Sequence, residues 1–217
     1  MLPFSREAFI SVFVEYNLAI WPLQIAAYVV GAGMVALLFS PSRLSGRIIA
    51  AGLAAMWLWT GLVYHAIFFS TINTMAVLFA ALFAIQGIAF FYFGVVRSQL
   101  QFAPPSGPIS WTGIALVGYA AILYPVFGIW VGHAYPEMPM FGVTPCPVTI
   151  FTFGLLLLTT GRFSRWLLVF PFLWSLVGGS ASFLLGIPQD WVLLFTGIIA
   201  GSLLIWRDSR VGRAAAA

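Results

Sequence analysis

The chain has 217 residues, 62% hydrophobic and 6% charged, with a formal charge of +4 from nine basic and five acidic side chains. A soluble domain carries about 25% charged residues, so water is excluded as the solvent for most of this surface and a lipid bilayer takes its place. All nine basic residues are Arg, which excludes a retinal Schiff base and Lys-based covalent catalysis, and the single Cys excludes an internal disulfide.

The first element is segment 4–16, FSREAFISVFVEY, which sets Phe4, Phe9, Val12 and Phe13 on one helical stripe. It is expected to lie as an interfacial helix on the outer surface. Seven apolar segments follow, at 18–39, 48–69, 74–96, 111–132, 146–160, 165–186 and 188–206. The first has no basic segment ahead of it and no A-x-A-like site behind it, and its length of about 22 residues is that of a span rather than of a signal-peptide core. Residues 99–110, QLQFAPPSGPIS, are Pro-rich and are expected to be irregular. Seven spans of about 20 residues use about 140, which leaves no room for a soluble domain. Residues 1–217 therefore read as a single all-α transmembrane domain, a bundle of seven helices without an internal repeat. Its odd span count does not suit simple inverted halves.

Orientation follows from the Arg residues. Arg43, Arg47, Arg97, Arg162, Arg165, Arg207, Arg210 and Arg213 fall on one side of these spans and only Arg6 on the other. The positive-inside rule makes the Arg-rich side cytoplasmic, so the N-terminus is outside and the C-terminus inside. This placement explains the basic balance, and nucleic acid is not an expected partner. Trp21, Trp111, Trp130, Trp166, Trp191 and Trp206 lie near span ends, where interfacial belts form. Trp57, Trp59 and Trp174 fall near mid-span, and each of their N–H groups needs a partner.

The polar residues concentrate in the outer halves. Asn17, Trp21, Gln24 and Tyr28 share one face of the first span, and Trp57, Thr60, Gly61, Tyr64 and His65 share a face of the second. Pro171, Trp174, Ser175, Gly178 and Ser182 do the same in the sixth, and Thr149 and Thr152 neighbour each other in the fifth. The inner halves are apolar, with Gln86 the one strongly polar residue at a span centre. The fifth span is short: 145–160 is 16 residues, roughly 24 Å of helix, against a hydrocarbon layer of roughly 30 Å. Its outer end should start below the surface, so part of the loop at 132–147 must dip into the outer leaflet. Irregular backbone at that depth needs a covering of protein or a water-filled cavity. A recessed pocket open to the outside is expected, formed by Asn17, Trp21, Gln24, Tyr64, His65, His133, Cys146 and Thr149, with His65 and His133 lining one void.

Glu15, Asn73, Glu137 and Asp190 lie on the same side. Asn73 reads as a cap for the third span and Asp190 as a first-turn carboxylate suited to the dipole of the seventh. Two His, several carboxylates and one Cys are ligand types for Zn²⁺, and two His are ligand types for haem. Their spacing matches no metal motif, and no cofactor is expected. Thr144 can cap the fifth helix with Pro145 at its first position, leaving Cys146 in the first turn, where the helix N-terminus and apolar burial act on the thiol in opposite directions. Gly197 and Gly201 form a G-x-x-x-G, a close-packing face within the chain or between chains.

The segments YNLAIWPLQ (16–24), WLWTGLVYHAIFFSTIN (57–73), GHAYPEMPMFGVTPCPVTIFTFGLLLL (132–158) and WSLVGGSASFLLGIPQD (174–190) resemble an uncharacterised bacterial family. It is a domain of unknown function in polytopic inner-membrane proteins. The resemblance covers most of the chain, with TPCP…FTFG its most specific part, and implies a multi-pass protein of the bacterial inner membrane. It implies no activity. The leading expectation is a pocket for a small or lipid-soluble ligand, with membrane lipids as surroundings. Three alternatives stand beside it: an accessory subunit of a larger membrane complex or homo-oligomer, a membrane-embedded thiol- or metal-dependent enzyme, and a transporter, which the apolar inner halves disfavour.

Overall fold

Proline and small residues decide where this apolar chain bends and where its helices touch. A computed structural model describes residues 3–214, so the single domain expected over 1–217 extends past the described residues at both ends. Helix α1 (Arg6–Ala19) is capped by Ser5, whose hydroxyl accepts from the Ala8 N–H. A break at 20–22 contains Pro22, which has no N–H to continue the ladder. Helix α2 (Leu23–Leu37) then leaves at 84° to α1. The amphipathic stripe of 4–16 is thus a separate helix, as the sequence suggests. Leu18 and Ala19, expected at the start of the first span, complete it instead.

Helix α3 (Arg43–Thr71) and α4 (Ala76–Val96) pack along their length, as do α5 (Pro108–Trp130), α6 (Pro145–Leu157), α7 (Trp166–Leu185) and α8 (Trp191–Ala214) in varied pairs. Five helices are long and apolar enough to cross a membrane, six if the bent α1–α2 pair forms one span. The chain accordingly has the all-helical build of a membrane protein. The segment expected as the fifth span is the shorter α6, of 13 residues.

Small residues set the helix contacts, as lipid-embedded packing requires, because lipid tails leave no hydrophobic force between helices. A Cβ on Gly94 would sit 2.2 Å from the Ala50 Cβ, and one on Gly61 2.9 Å from the Ala80 carbonyl oxygen, so α3 and α4 meet backbone to backbone. At the α5–α6 crossing a Cβ on Gly154 would lie 2.8 Å from the Gly113 carbonyl oxygen. Gly197, from the G-x-x-x-G, faces the Ser175 hydroxyl of α7, so this close-packing face is used within the chain.

The two ends of the bundle differ. At one, residue 159 pairs with 102, Thr160 N–H donates to the Gln101 carbonyl, and Arg207 donates to the Thr159 carbonyl at 2.8 Å and the Leu156 carbonyl at 3.4 Å. Arg207 thereby ties α8 to the carbonyls at and just beyond the last turn of α6. Asp208 lies 3.2 Å from the same guanidinium. At the other end lie the start of α6, the turn before α8 and the loop 131–144. Every residue from 141 to 159 is buried. Helix α6 runs between the two ends as an axle, enclosed by α3, α5, α7 and α8.

Candidate functional site

An axle of 13 residues is about 20 Å long, so the loop ahead of it must descend into the bundle. Its backbone carbonyls are met from α1. The Asn17 side-chain amide donates to the carbonyls of Pro136 and Met138, both at 2.8 Å. The Tyr16 hydroxyl donates to the Val143 carbonyl at 2.6 Å and accepts from the Trp59 indole N–H. Gln24 donates to the Asn17 carbonyl, and the Tyr135 hydroxyl donates to the same oxygen at 3.2 Å. Thr144 stands at the N-cap position of α6, yet its hydroxyl donates back to the Met140 carbonyl rather than capping the helix.

Beside this seated loop lies a cavity of about 200 Å³. Its roof is α1, through Phe9 and Phe13, with Phe4 just ahead of the helix; α4 and α7 supply Phe79, Trp174 and Val177. Most of the lining is apolar. Polar groups enter from several elements: Tyr64 and His65 from α3, Asn73 from the turn after it, Cys146 from the first turn of α6, Ser182 from α7, and Asp190 from the turn Pro188–Asp190 ahead of α8. The stretch Thr60–Phe68 of α3 is wound as π-helix, and it carries both Tyr64 and His65.

His65 is fully buried and sits among aromatic rings, 4.7 Å from Phe83, 5.1 Å from Trp174 and 5.1 Å from Tyr64, centroid to centroid. Among the described residues neither of its ring nitrogens has a hydrogen-bond partner. The Trp174 N–H likewise donates to no oxygen or nitrogen, its nearest polar neighbour being the Cys146 sulfur. The other two mid-span indoles are paired, Trp57 with the Thr152 hydroxyl and Trp59 with Tyr16. The Cys146 thiol is within hydrogen-bonding reach of Asp190, and Asp190 also accepts from the Tyr124 hydroxyl of α5.

Of the residues expected to form the pocket, Tyr64, His65 and Cys146 line this cavity together. Asn17 and Gln24 are buried and serve the loop, one step away from the void. Thr149 is buried within α6, donating to the Pro145 carbonyl. Trp21 is 59% exposed, edge-on to Tyr135. His133 is buried but does not line the cavity: its Nε2 lies 2.8 Å from Arg6, which also donates to the Leu185 carbonyl. A guanidinium only donates, so His133 Nε2 accepts and the ring proton is on Nδ1. His133 thus fastens α1, the roof, to the bundle.

Two lining residues were read differently from sequence. Asp190, expected in the first turn of its helix, lies in the turn just ahead of α8, and its carboxyl turns inward to Tyr124 and the thiol. Trp174 carried a usable signal, a mid-span N–H in need of a partner. Tyr124, and Phe13 as part of a roof, carried none beyond apolar periodicity. Among the described residues no three His, Cys, Asp or Glu side chains are grouped as a metal set.

The fold and the cavity define a class: an all-helical protein of membrane type with a recessed, mostly apolar cavity at one end. More particularly, residues 6–215 match the model of a family of unknown function, DUF6064, and the chain belongs to that family. Comparison with curated proteins and with solved structures finds no match.

Proposed function

We propose that this chain is a multi-pass protein of the bacterial inner membrane whose α1-roofed cavity, open toward the outer side, binds a small or lipid-soluble ligand. In this reading the chain crosses seven times, α6 being a crossing made inside the protein rather than against lipid. The N-terminus is outside, because Arg43, Arg97, Arg165 and Arg207 gather at the end opposite the cavity.

One observation carries the binding role. A buried His with both nitrogens unpaired costs stability, and this one lines a chamber walled by aromatic rings. A ligand that bonds His65 removes the cost. Sites for small ligands have this composition, an apolar wall with few convergent polar groups.

The test is extraction. Protein purified in mild detergent should release a lipid-soluble compound at about one per chain. Ala181→Trp, which fills the cavity, should abolish it while leaving the helical circular dichroism unchanged. Equal yields from both proteins, or none from the wild type, would overturn the reading. The contact of Cys146 with Asp190 favours a second reading, thiol chemistry on the bound molecule. It predicts an adduct on Cys146 in the intact mass of protein isolated without added reagent; an unmodified mass with compound bound leaves the binding role alone.

A further inference from the structure

Resting on that reading, we infer that the ligand is a chain-bearing amphiphile whose head carries a carbonyl, with its head at His65 and its chain along the cleft between α4 and α7. Two observations set its shape. A second void, of about 40 Å³, lies below the cavity and shares Phe79, Trp174 and Val177 with it. Its remaining lining, which includes Leu82 and Leu173, is entirely apolar. The chamber therefore has a polar end and an apolar extension that follows the α4–α7 seam. Leu173 is 46% and Val177 44% exposed, so the seam is open sideways to a membrane.

The chemistry of the head follows from what is unpaired. The Trp174 N–H bonds no oxygen or nitrogen and has only the weakly accepting Cys146 sulfur near it, and His65 in either neutral tautomer adds one more N–H. Two acceptors are already present: the unprotonated imidazole nitrogen of His65, and Asp190, which is engaged by Tyr124. A head that offers an acceptor oxygen meets the two orphaned donors, whereas a head that offers only donors meets the imidazole's acceptor nitrogen alone. A carbonyl suits this end because it accepts along two lone pairs and needs no charge. An acyl ester and an isoprenoid quinone share that chemistry.

The experiment uses the full chain in dodecyl maltoside, a detergent without a carbonyl. Two photoactivatable acyl methyl esters are compared, one with a diazirine beside the carbonyl and one with it on the terminal carbon. The first should label residues around 9–13 and 185–190, and the second residues 79–83 and 170–177. An alkane probe of equal length should label the cavity at least tenfold less. His65→Phe should reduce head labelling about tenfold, and His65→Gln, which keeps an N–H, should restore most of it. Excess unlabelled ester or a quinone with a ten-carbon tail is then added, and the better competitor names the source. Head labelling in the cavity with tail labelling scattered over all lipid-facing helices overturns the inference and leaves the binding role standing. Absence of head labelling overturns both. Equal labelling by the alkane, or indifference to His65→Phe, overturns the carbonyl assignment.

Discussion

The loop ahead of α6 is seated largely through one amide, and replacing Asn17 tests whether that seat closes the site. Asn17→Ala removes two donated hydrogen bonds of 2.8 Å and leaves the carbonyls of Pro136 and Met138 without their donor inside the protein. At about 1–1.5 kcal/mol per bond the pair stabilises the seated loop by about 2–3 kcal/mol. If the cost falls on loop opening, the open population rises about 30- to 150-fold, since about 1.4 kcal/mol is a factor of ten. Cys146 reports this directly, because it is the only thiol in the chain and lies two residues beyond the loop. Its alkylation by a maleimide, followed as a mass shift under conditions where opening precedes reaction, should quicken by the same factor. Asn17→Asp should react at least as fast, because it sets carboxylate oxygens against two carbonyl oxygens. Rates for both variants within threefold of wild type would refute the claim that Asn17 holds the loop.

Gly154→Ala puts a methyl 2.8 Å from the Gly113 carbonyl and 2.9 Å from the Val117 backbone nitrogen, atoms that move only if α5 moves. It should cost about 1–3 kcal/mol and lower the thermal midpoint, while Gly118→Ala, on the same α5 with open space around it, should leave the midpoint unchanged or raise it. Arg207→Ala removes the donor to the Thr159 and Leu156 carbonyls and leaves Asp208 without its ion pair; a loss of about 1–3 kcal/mol is expected in detergent unfolding, with Arg207→Lys recovering part of it. His133→Leu removes the acceptor for Arg6, so it should loosen α1 and speed hydrogen exchange in 6–19, whereas His133→Gln, whose side-chain oxygen still accepts, should exchange within about twofold of wild type. A reporter active only in the cytoplasm should be active when fused to the C-terminus; a silent but stably expressed fusion would reverse the proposed orientation.

Much of the architecture is legible in the sequence because lipid-facing helices leave a coarse signature: length, apolarity and Arg at their ends. A separate helix ahead of the bundle, five helices long and apolar enough to cross a membrane, and the short fifth segment are all legible in the sequence. The sequence also supports the descent of the loop, since 16 residues cannot fill the hydrocarbon layer. The inward turn of Asp190 was hidden. In sequence it is an acidic residue after a proline at a helix start, where the dipole suffices to explain it. Its partner Tyr124 is 66 positions away and looks like any aromatic residue of a span. The division of labour between the two His was equally out of reach. Both fall on the same side, but only contacts reveal that Arg6 claims His133 and that His65 has no claimant.

That difference is the strongest reason to treat His65 as a ligand group rather than a packing residue. Elsewhere the same bundle goes to some length to satisfy its buried side chains. Trp57 reaches Thr152 across to α6, Trp59 reaches Tyr16 in α1, and Gln86 reaches the Leu167 carbonyl of α7. Among the described residues in helices or turns, His65, Trp174, Gln189 and Thr196 have every side-chain polar atom closed to solvent and without a nitrogen or oxygen partner. Gln189 and Thr196 lie away from the cavity; His65 and Trp174 line it, with ring centroids 5.1 Å apart. If packing alone had set residue 65, Phe would fill the aromatic nest without leaving two nitrogens unpaired. The imidazole is costly in the empty chamber and useful in a filled one. His65→Phe should therefore stabilise the ligand-free protein, raising its midpoint by a few degrees at about 2–4 °C per kcal/mol, while removing the ligand's own stabilising effect. A variant that is less stable both with and without ligand would return His65 to the packing residues.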